Sequence, residues 1–228
     1  METKIKKEIL TFLSSYLTDN RKQLFDKIIQ YRTRYITVVL EDIYQPHNAS
    51  AVLRSADLTG IQDIHIIENR NRYEVNPEVA MGSSKWLNLV KYNKAKENTL
   101  EAYDVLRKQG YRIVATTPHA EDKNLDEISL DGKIALVFGT ELKGLSETAI
   151  QNADEYLRIP MYGFTESYNI SVSAALTLFT LTEKLRKSDI SWQLSKDEKL
   201  DILLEWTRRS IKRSELIEKE FLQRLKNR

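Results

Sequence analysis

The chain of 228 residues is 41% hydrophobic and 30% charged, with 7 Gly and 4 Pro, enough to bury one substantial core in regular structure. It has no cysteine, which excludes disulfides, thiolate zinc sites and a cysteine nucleophile. Its three histidines (His47, His65 and His119) are too scattered for a metal centre, and no apolar run approaches the ~20 residues of a membrane span. The basic, amphipathic N-terminus carries acidic residues and lacks a signal-peptide core, so a cytoplasmic protein is expected.

The net charge of +2 conceals a segregation. Residues 1–35 hold eight Lys/Arg against four Asp/Glu, residues 36–183 fourteen against twenty-one, and residues 184–228 thirteen against eight. Basic ends on an acidic middle fit a polyanionic partner, and they fit merely solvated helix faces equally well.

Apolar positions at helical spacing predict helices over 2–17 and 21–31, separated by Thr18-Asp19-Asn20. The β-branched run Tyr35 to Leu40 then reads as a fully buried strand. A helix over 49–59, ended by Gly60, precedes a strand over 63–67. Strands over 87–92 and 111–116 flank a helix over 98–109 closed by Gly110. A strand over 133–138, a short helix over 146–152, a strand over 156–161 and a long helix over 171–187 follow. Residues 196–228 read as helical. Strands alternating with helices through 35–187 call for an α/β domain, with a mostly parallel sheet and helices on both faces. The division expected is a basic helical extension over 1–35, a catalytic domain over 36–187 and a second basic helical extension over 188–228.

Three segments stand at the C-terminal ends of predicted strands, where open parallel sheets place ligands. In the first, Leu40 to Arg54, Asn48 occupies a helix N-cap position after Pro46, and Arg54 lies six residues on. In the second, Leu136 to Ser146, Gly139 and Gly144 bracket Thr140-Glu141, but the spacing is not that of a phosphate-binding P-loop. In the third, Ile159 to Leu176, a glycine turn and Thr165-Glu166-Ser167-Tyr168-Asn169 lead into a small-residue helix start. Donors and acceptors gather there where helix N–H groups lack partners. Taken singly, each segment reads equally as turn and cap residues.

In this order, PHNASAVLR, FGTELKGLS and IPMYGFTESYNISVSAAL resemble the three motifs of the SPOUT superfamily of RNA methyltransferases, and more narrowly its SpoU/TrmH group. The resemblance spans residues 36–187, and the arms resemble the helical extensions of the members that methylate guanosine 18 of tRNA, including the aromatic and basic Trp206 to Arg209. It implies a trefoil knot in the C-terminal part of the sheet, S-adenosylmethionine as the cofactor, a homodimer and a tRNA substrate without a membrane partner. Carried over by motif, the cofactor is expected against Thr116, Gly139, Glu141, Ile159, Met161, Tyr168 and Ser171. Family members commonly have Leu where Tyr168 stands, and a phenol there still covers an adenine face.

The resemblance implies ribose 2′-O-methylation at guanosine 18 of the tRNA D-loop, with Arg54, Asn48, Glu141, Ser167 and Asn169 in the catalytic pocket. The family gives the arginine at the Arg54 position the task of activating the 2′-hydroxyl. A guanidinium does not lose its proton in proteins, so pairing with phosphate and stabilising a developing alkoxide suits it better. Asn48 is expected to orient Arg54 or cap its helix, and Asn169 to fix the third motif's loop. RNA phosphate contacts are expected from Lys6, Lys7, Arg21, Lys22, Arg32 and Arg34 at one end, and from Arg208, Arg209, Lys212 and Arg213 at the other.

The alternatives are the same chemistry on ribosomal RNA and a non-catalytic RNA-binding module on the same fold. The short segment ahead of the first strand favours tRNA over ribosomal RNA. The intact polar set favours an enzyme over a bare binding module. A general nucleotide-binding enzyme is disfavoured because no GxGxxG follows the first strand.

Overall fold

The computed structural model describes residues 2–74, 76–118, 123–140 and 143–226. It divides into two compact units, Thr33–Trp192 and a helical unit made of Met1–Arg32 with Gln193–Arg228.

The larger unit alternates strands and helices. In chain order come β1 (Ile36–Glu41), a helix (Pro46–Leu58), β2 (Asp63–Ile67), a single turn (Pro77–Ala80), β3 (Asn88–Tyr92) and a helix (Thr99–Lys108). Then follow β4 (Tyr111–Thr116), the two-residue β5 (Lys123–Asn124), β6 (Lys133–Phe138), a short helix (Glu147–Gln151), β7 (Glu155–Arg158) and a long helix (Ile170–Arg186). These helices are α3, α4, α5, α6 and α7, after α1 (Thr3–Ser14) and α2 (Asp19–Ile28) of the other unit. The described strands form one sheet in the order β3-β2-β1-β6-β4-β7-β5, and every pairing is parallel.

The continuous apolar run in β1 is explained by burial on both faces. Successive side chains alternate sides: Ile36, Val38 and Leu40 pack with α3 and α7, while Val39 joins Tyr103 and Leu106 of α5 and Ala149 of α6. Each such fully buried aliphatic or aromatic side chain contributes roughly 2 kcal/mol of transfer free energy. With every strand parallel, the loops after β1, β2, β4, β6 and β7 all emerge at one edge of the sheet, and the three motifs lie there.

Two local expectations are corrected, and two details are added. The helix after β1 begins at Pro46, with Gln45 as N-cap, so Asn48 is an interior residue of the first turn and not the cap. Proline suits that first position because its missing N–H had no helical partner to lose. The last long strand stops at Arg158 instead of reaching Met161, and Pro160 has no N–H to extend a ladder. The short β5 and α4 carry too few residues to show a period. The C-terminal stretch is two helices, α8 (Lys196–Ser210) and α9 (Ser214–Lys226), broken where Arg213 takes φ 59°.

In the helical unit, Ile9 and Leu13 of α1 bury against Leu204 of α8, and Phe12 stacks on Phe221 of α9 with centroids 4.2 Å apart. The N- and C-terminal basic segments therefore share one core. A capping box between Ser195 and Glu198 starts α8.

Candidate functional site

The loops at the carboxyl edge enclose a cavity of about 410 Å³, a size within the range of small-molecule sites. Thr116 to Pro118 from the end of β4 onward, Phe138 to Thr140 and Lys143 to Leu145 from the end of β6 onward, and Ile159 and Met161 after β7 form its walls. Glu166, Ser167 and Tyr168 close it, with Ile170 and Ser173 from the start of α7.

Backbone packing shapes the wall after β6. A Cβ on Gly139 would stand 2.3 Å from the carbonyl carbon and oxygen of Gly144 and 2.4 Å from the nitrogen of Leu145. Only glycine permits that approach. Thr140 and Gly144 exchange backbone hydrogen bonds of 2.9 Å each, and Gly144 adopts φ +64°. Glu141, expected here as a catalytic and cofactor residue, lies outside the described residues, as does His119.

The far end of this loop is held by a residue the sequence reading did not single out. Glu41, at the end of β1, is 1% exposed. Its carboxylate accepts the Ser146 N–H and hydroxyl, both at 2.8 Å, and the Thr99 hydroxyl at 2.7 Å. Ser146 in turn caps α6 by accepting the Ala149 N–H. A buried carboxylate needs such donors, and a charged residue closing an apolar strand was the available signal.

The first and third motifs meet directly. Asn169 is the N-cap of α7; its Oδ1 accepts the Ser171 N–H at 2.8 Å and hydroxyl at 2.6 Å. Its Nδ2 donates to Asn48 Oδ1 at 3.2 Å, and Asn48 donates to Gln45 Oε1 at 3.0 Å. Asn48 is thus turned towards Asn169. Six residues later, at ~100° per residue, Arg54 falls on another side of the helix, which accounts for Asn48 not orienting it. Arg54 is exposed, and among the described residues it makes no hydrogen bond or ion pair.

Of the expected cofactor residues, Thr116, Gly139, Ile159, Met161 and Tyr168 line the cavity, as does Ser167 from the catalytic set. The Thr116 hydroxyl is already donated to the Val137 carbonyl at 2.8 Å. Tyr168, 44% exposed, belongs to the cavity lining. Ser171 supports the Asn169 cap, and Ser173 takes a place in the wall instead.

The expected RNA contacts divide by availability. Arg32 is removed from the set: it is 2% exposed, with its guanidinium 5.2 Å from the Trp206 ring centroid. Arg208 makes a bidentate pair with Glu218 and a third bond to Glu205, and the Glu218 hydrogen bonds raise its pKa further. These pairs line a shallow groove of about 840 Å³ between α8 and α9, filled with the chain's own compensated charges. Lys6 pairs with Asp201, Lys22 with Asp19, Arg34 with Asp63, and Arg209 with Glu205 at 3.9 Å. Arg21 is exposed, with its guanidinium 5.9 Å from the Phe25 ring. Lys7, Lys212 and Arg213 are exposed and without partners among the described residues.

No cluster of three His, Asp or Glu side chains suited to a metal exists among the described residues. Among the described residues one histidine is strongly perturbed, and it does not line the cavity. His65, in β2, has its pKa lowered to about 4 by burial, against an opposing pull from Asp63. The Tyr92 hydroxyl, its own pKa pushed up to about 12 by burial, shares a 2.9 Å hydrogen bond with the ring's Nδ1, the donor being set by the tautomer.

A parallel sheet with a cavity of mixed apolar and polar lining at its carboxyl edge, close-packed at Gly139, defines the α/β class of the protein. Comparison with known families gives the class its name. The SpoU rRNA Methylase family matches residues 35–179. The chain is 45% identical over 206 residues to the tRNA (guanosine(18)-2'-O)-methyltransferase of Borreliella burgdorferi, covering 90% of this chain and 93% of the relative. It is 30% identical over 194 residues to the enzyme of the same name from Thermus thermophilus, covering 84% and 98%. The crystal structure of the A. aeolicus TrmH/SpoU tRNA modifying enzyme superposes with a TM-score of 0.76 at 26% identity, over 86% of this chain and 98% of that one. The chain belongs to the SpoU methylase family.

Proposed function

We propose that the protein is an S-adenosylmethionine-dependent tRNA ribose 2′-O-methyltransferase acting on guanosine 18 of the D-loop. The observation that carries this reading is the 410 Å³ cavity, built at Gly139 by backbone contact and joined through the Asn169–Asn48 bond to the helix bearing Arg54. The names of the bacterial relatives support the choice of substrate. The cavity fits the cofactor in kind: apolar walls at Ile159, Met161 and Leu145, a ring at Tyr168 for an adenine face, and polar groups at Thr117, Ser167 and Glu166. When bound, S-adenosylmethionine supplies an electrophilic methyl group on a sulfonium sulfur.

The chain's own work is positioning and charge stabilisation. The Gly139–Gly144 wall and the Asn169 cap fix the loops, while the exposed Arg54 pairs with a substrate phosphate and stabilises negative charge gathering on the ribose oxygen. A guanidinium is not a base in proteins, so the hydroxyl proton leaves to water or a neighbouring acceptor.

The reading includes a trefoil knot formed by the motif 2 and motif 3 loops and a homodimer. Support for the dimer comes from Val172, Leu176 and Phe179, exposed at i, i+4 and i+7 on α7, the last 63% exposed, with Leu58 of α3 77% exposed. A second copy of the chain covers that stripe. The unit Thr33–Trp192 carries catalysis and the helical unit presents Lys7, Lys212 and Arg213 to RNA. A tRNA-modifying role places the protein in the cytoplasm. The family's name favours a second reading, ribosomal RNA as substrate. Incubation with labelled methyl donor and separate tRNA and ribosomal RNA pools distinguishes the two, and label in ribosomal RNA alone overturns the tRNA assignment.

A further inference from the structure

The loop between β2 and α4, Glu68-Asn-Arg-Asn-Arg-Tyr73, is held with unusual thoroughness for an exposed connection. Asp42, directly after β1, adopts the left-handed conformation (φ 54°) and donates its N–H to Ile67 O at 2.9 Å. Its Oδ1 then accepts three successive backbone N–H groups, from Asn69 at 2.7 Å, Arg70 at 2.8 Å and Asn71 at 3.3 Å. Asn71 Nδ2 donates back to the Asp42 carbonyl at 2.7 Å. The Asn69 amide donates to the Thr99 hydroxyl and accepts the Asn98 N–H. Glu68 accepts the Tyr73 N–H at 3.0 Å and pairs with Lys91 at 3.2 Å.

These bonds consume the loop's acceptors and leave its cations free. Arg70 and Arg72 are both exposed, and among the described residues neither side chain makes a hydrogen bond, ion pair or ring contact. Asp42 is committed to backbone N–H groups, Glu68 to Lys91, Asn93 and Tyr73 N–H, and exposed Glu74 pairs with neither arginine. A loop serving only as a connection needs no such clamp, since solvated arginines tolerate any backbone geometry. Just beyond it, the Asn76 N–H donates to the Ser50 hydroxyl at 2.7 Å, tying the segment to α3, the helix of Arg54. Since β1 and β2 are adjacent and parallel, the clamped loop and the start of α3 emerge side by side at the edge that holds the cavity.

We propose that Arg70 and Arg72 bind two phosphodiester groups of the substrate RNA beside the nucleotide presented to Arg54, with Asp42 as the positioning residue that fixes their spacing. The proposal deepens the methyltransferase reading and rests on it for the identity of the RNA. Guanidinium forks on a fixed backbone suit phosphate oxygens, and such contacts set register without reading bases.

The test uses the full chain with Arg70→Ala/Arg72→Ala, unmodified tRNA transcript and S-adenosylmethionine. Cofactor affinity by calorimetry stays at the wild-type value, and KM for RNA rises about tenfold or more. The slope of log affinity against log salt shrinks by about 1.4 to 1.8, the counterion release of two phosphates. Arg70→Lys/Arg72→Lys keeps the salt slope, because it keeps both charges, while losing the bidentate geometry and with it part of the affinity. Unchanged RNA affinity and salt slope in the alanine variant overturn the proposal. A wild-type chain that binds RNA with the full slope but methylates none overturns the methyltransferase reading and leaves the arginine assignment standing.

Discussion

Gly139→Ala is the substitution whose consequence follows most directly from geometry. The new methyl would lie 2.3 Å from two backbone atoms of Gly144 and 2.4 Å from a third, in Leu145, where ordinary contact begins at 3.4 Å. No side chain can rotate away, so the backbone must move by about 1 Å, the difference between contact and clash. That movement works against the paired 2.9 Å bonds between Thr140 and Gly144. Overpacking of this kind costs about 1–3 kcal/mol, and with only backbone to displace the upper half applies. At ~1.4 kcal/mol per decade, S-adenosylmethionine affinity should fall at least tenfold by calorimetric titration. At roughly 2–4 °C per kcal/mol for a chain of this length, a 2 kcal/mol loss lowers the apo melting temperature by roughly 4–8 °C. Gly144→Ala is the matched control. Its φ of +64° is strained for alanine, but its Cβ position is open, so the cost is about 1–2 kcal/mol of left-handed backbone alone. A Gly139→Ala protein that binds the cofactor within twofold of wild type and melts at the same temperature refutes the close-contact account of the cavity.

Three further outcomes are expected. Arg54→Lys should lower the methylation rate by about 10- to 100-fold with cofactor affinity intact, since the ammonium keeps charge but loses the planar fork; near-full activity would remove any guanidinium-specific role. Asn169→Ala deletes the α7 cap and the bond to Asn48, costing about 0.5–2 kcal/mol, and calorimetry should register weaker cofactor binding. Unchanged binding would show that the cap does not shape the site. For His65 the folded pKa of about 4 lies below the ordinary 6.5, so the unfolded chain binds the extra proton between these values and stability falls as pH drops through that window. The loss between pH 7 and 5 is about 2 kcal/mol, and His65→Gln should abolish that share of the pH slope in chemical denaturation. An identical slope in the variant would contradict it.

The fold was legible where local and global signals agree. The run YITVVL must be a strand with both faces covered, and Gly110 stops a helix where a left-handed residue is needed, φ +85°. The three loops gather at one edge because parallel strands point the same way, which alternation of elements already implied. Legibility failed where a local rule had two solutions. Asn48 has the chemistry of a cap, yet Pro46 fixed the helix start ahead of it and turned the amide inward to Asn169. No glycine or proline marks the break at Arg213. Charge alone could not tell the buried Arg32, stacked against Trp206, from the exposed Lys212, because that difference is made by tertiary packing. The role of Glu41 is not legible locally because its partners, Thr99 and Ser146, lie 58 and 105 residues away.

The most direct test of the functional account is to incubate the purified chain with methyl-labelled S-adenosylmethionine and unmodified total tRNA, then map the label by nuclease digestion and mass spectrometry. The account predicts one methyl group on the 2′-oxygen of guanosine 18, lost with Arg54→Ala. Label on a base, at another ribose, or in ribosomal RNA but not tRNA would contradict it.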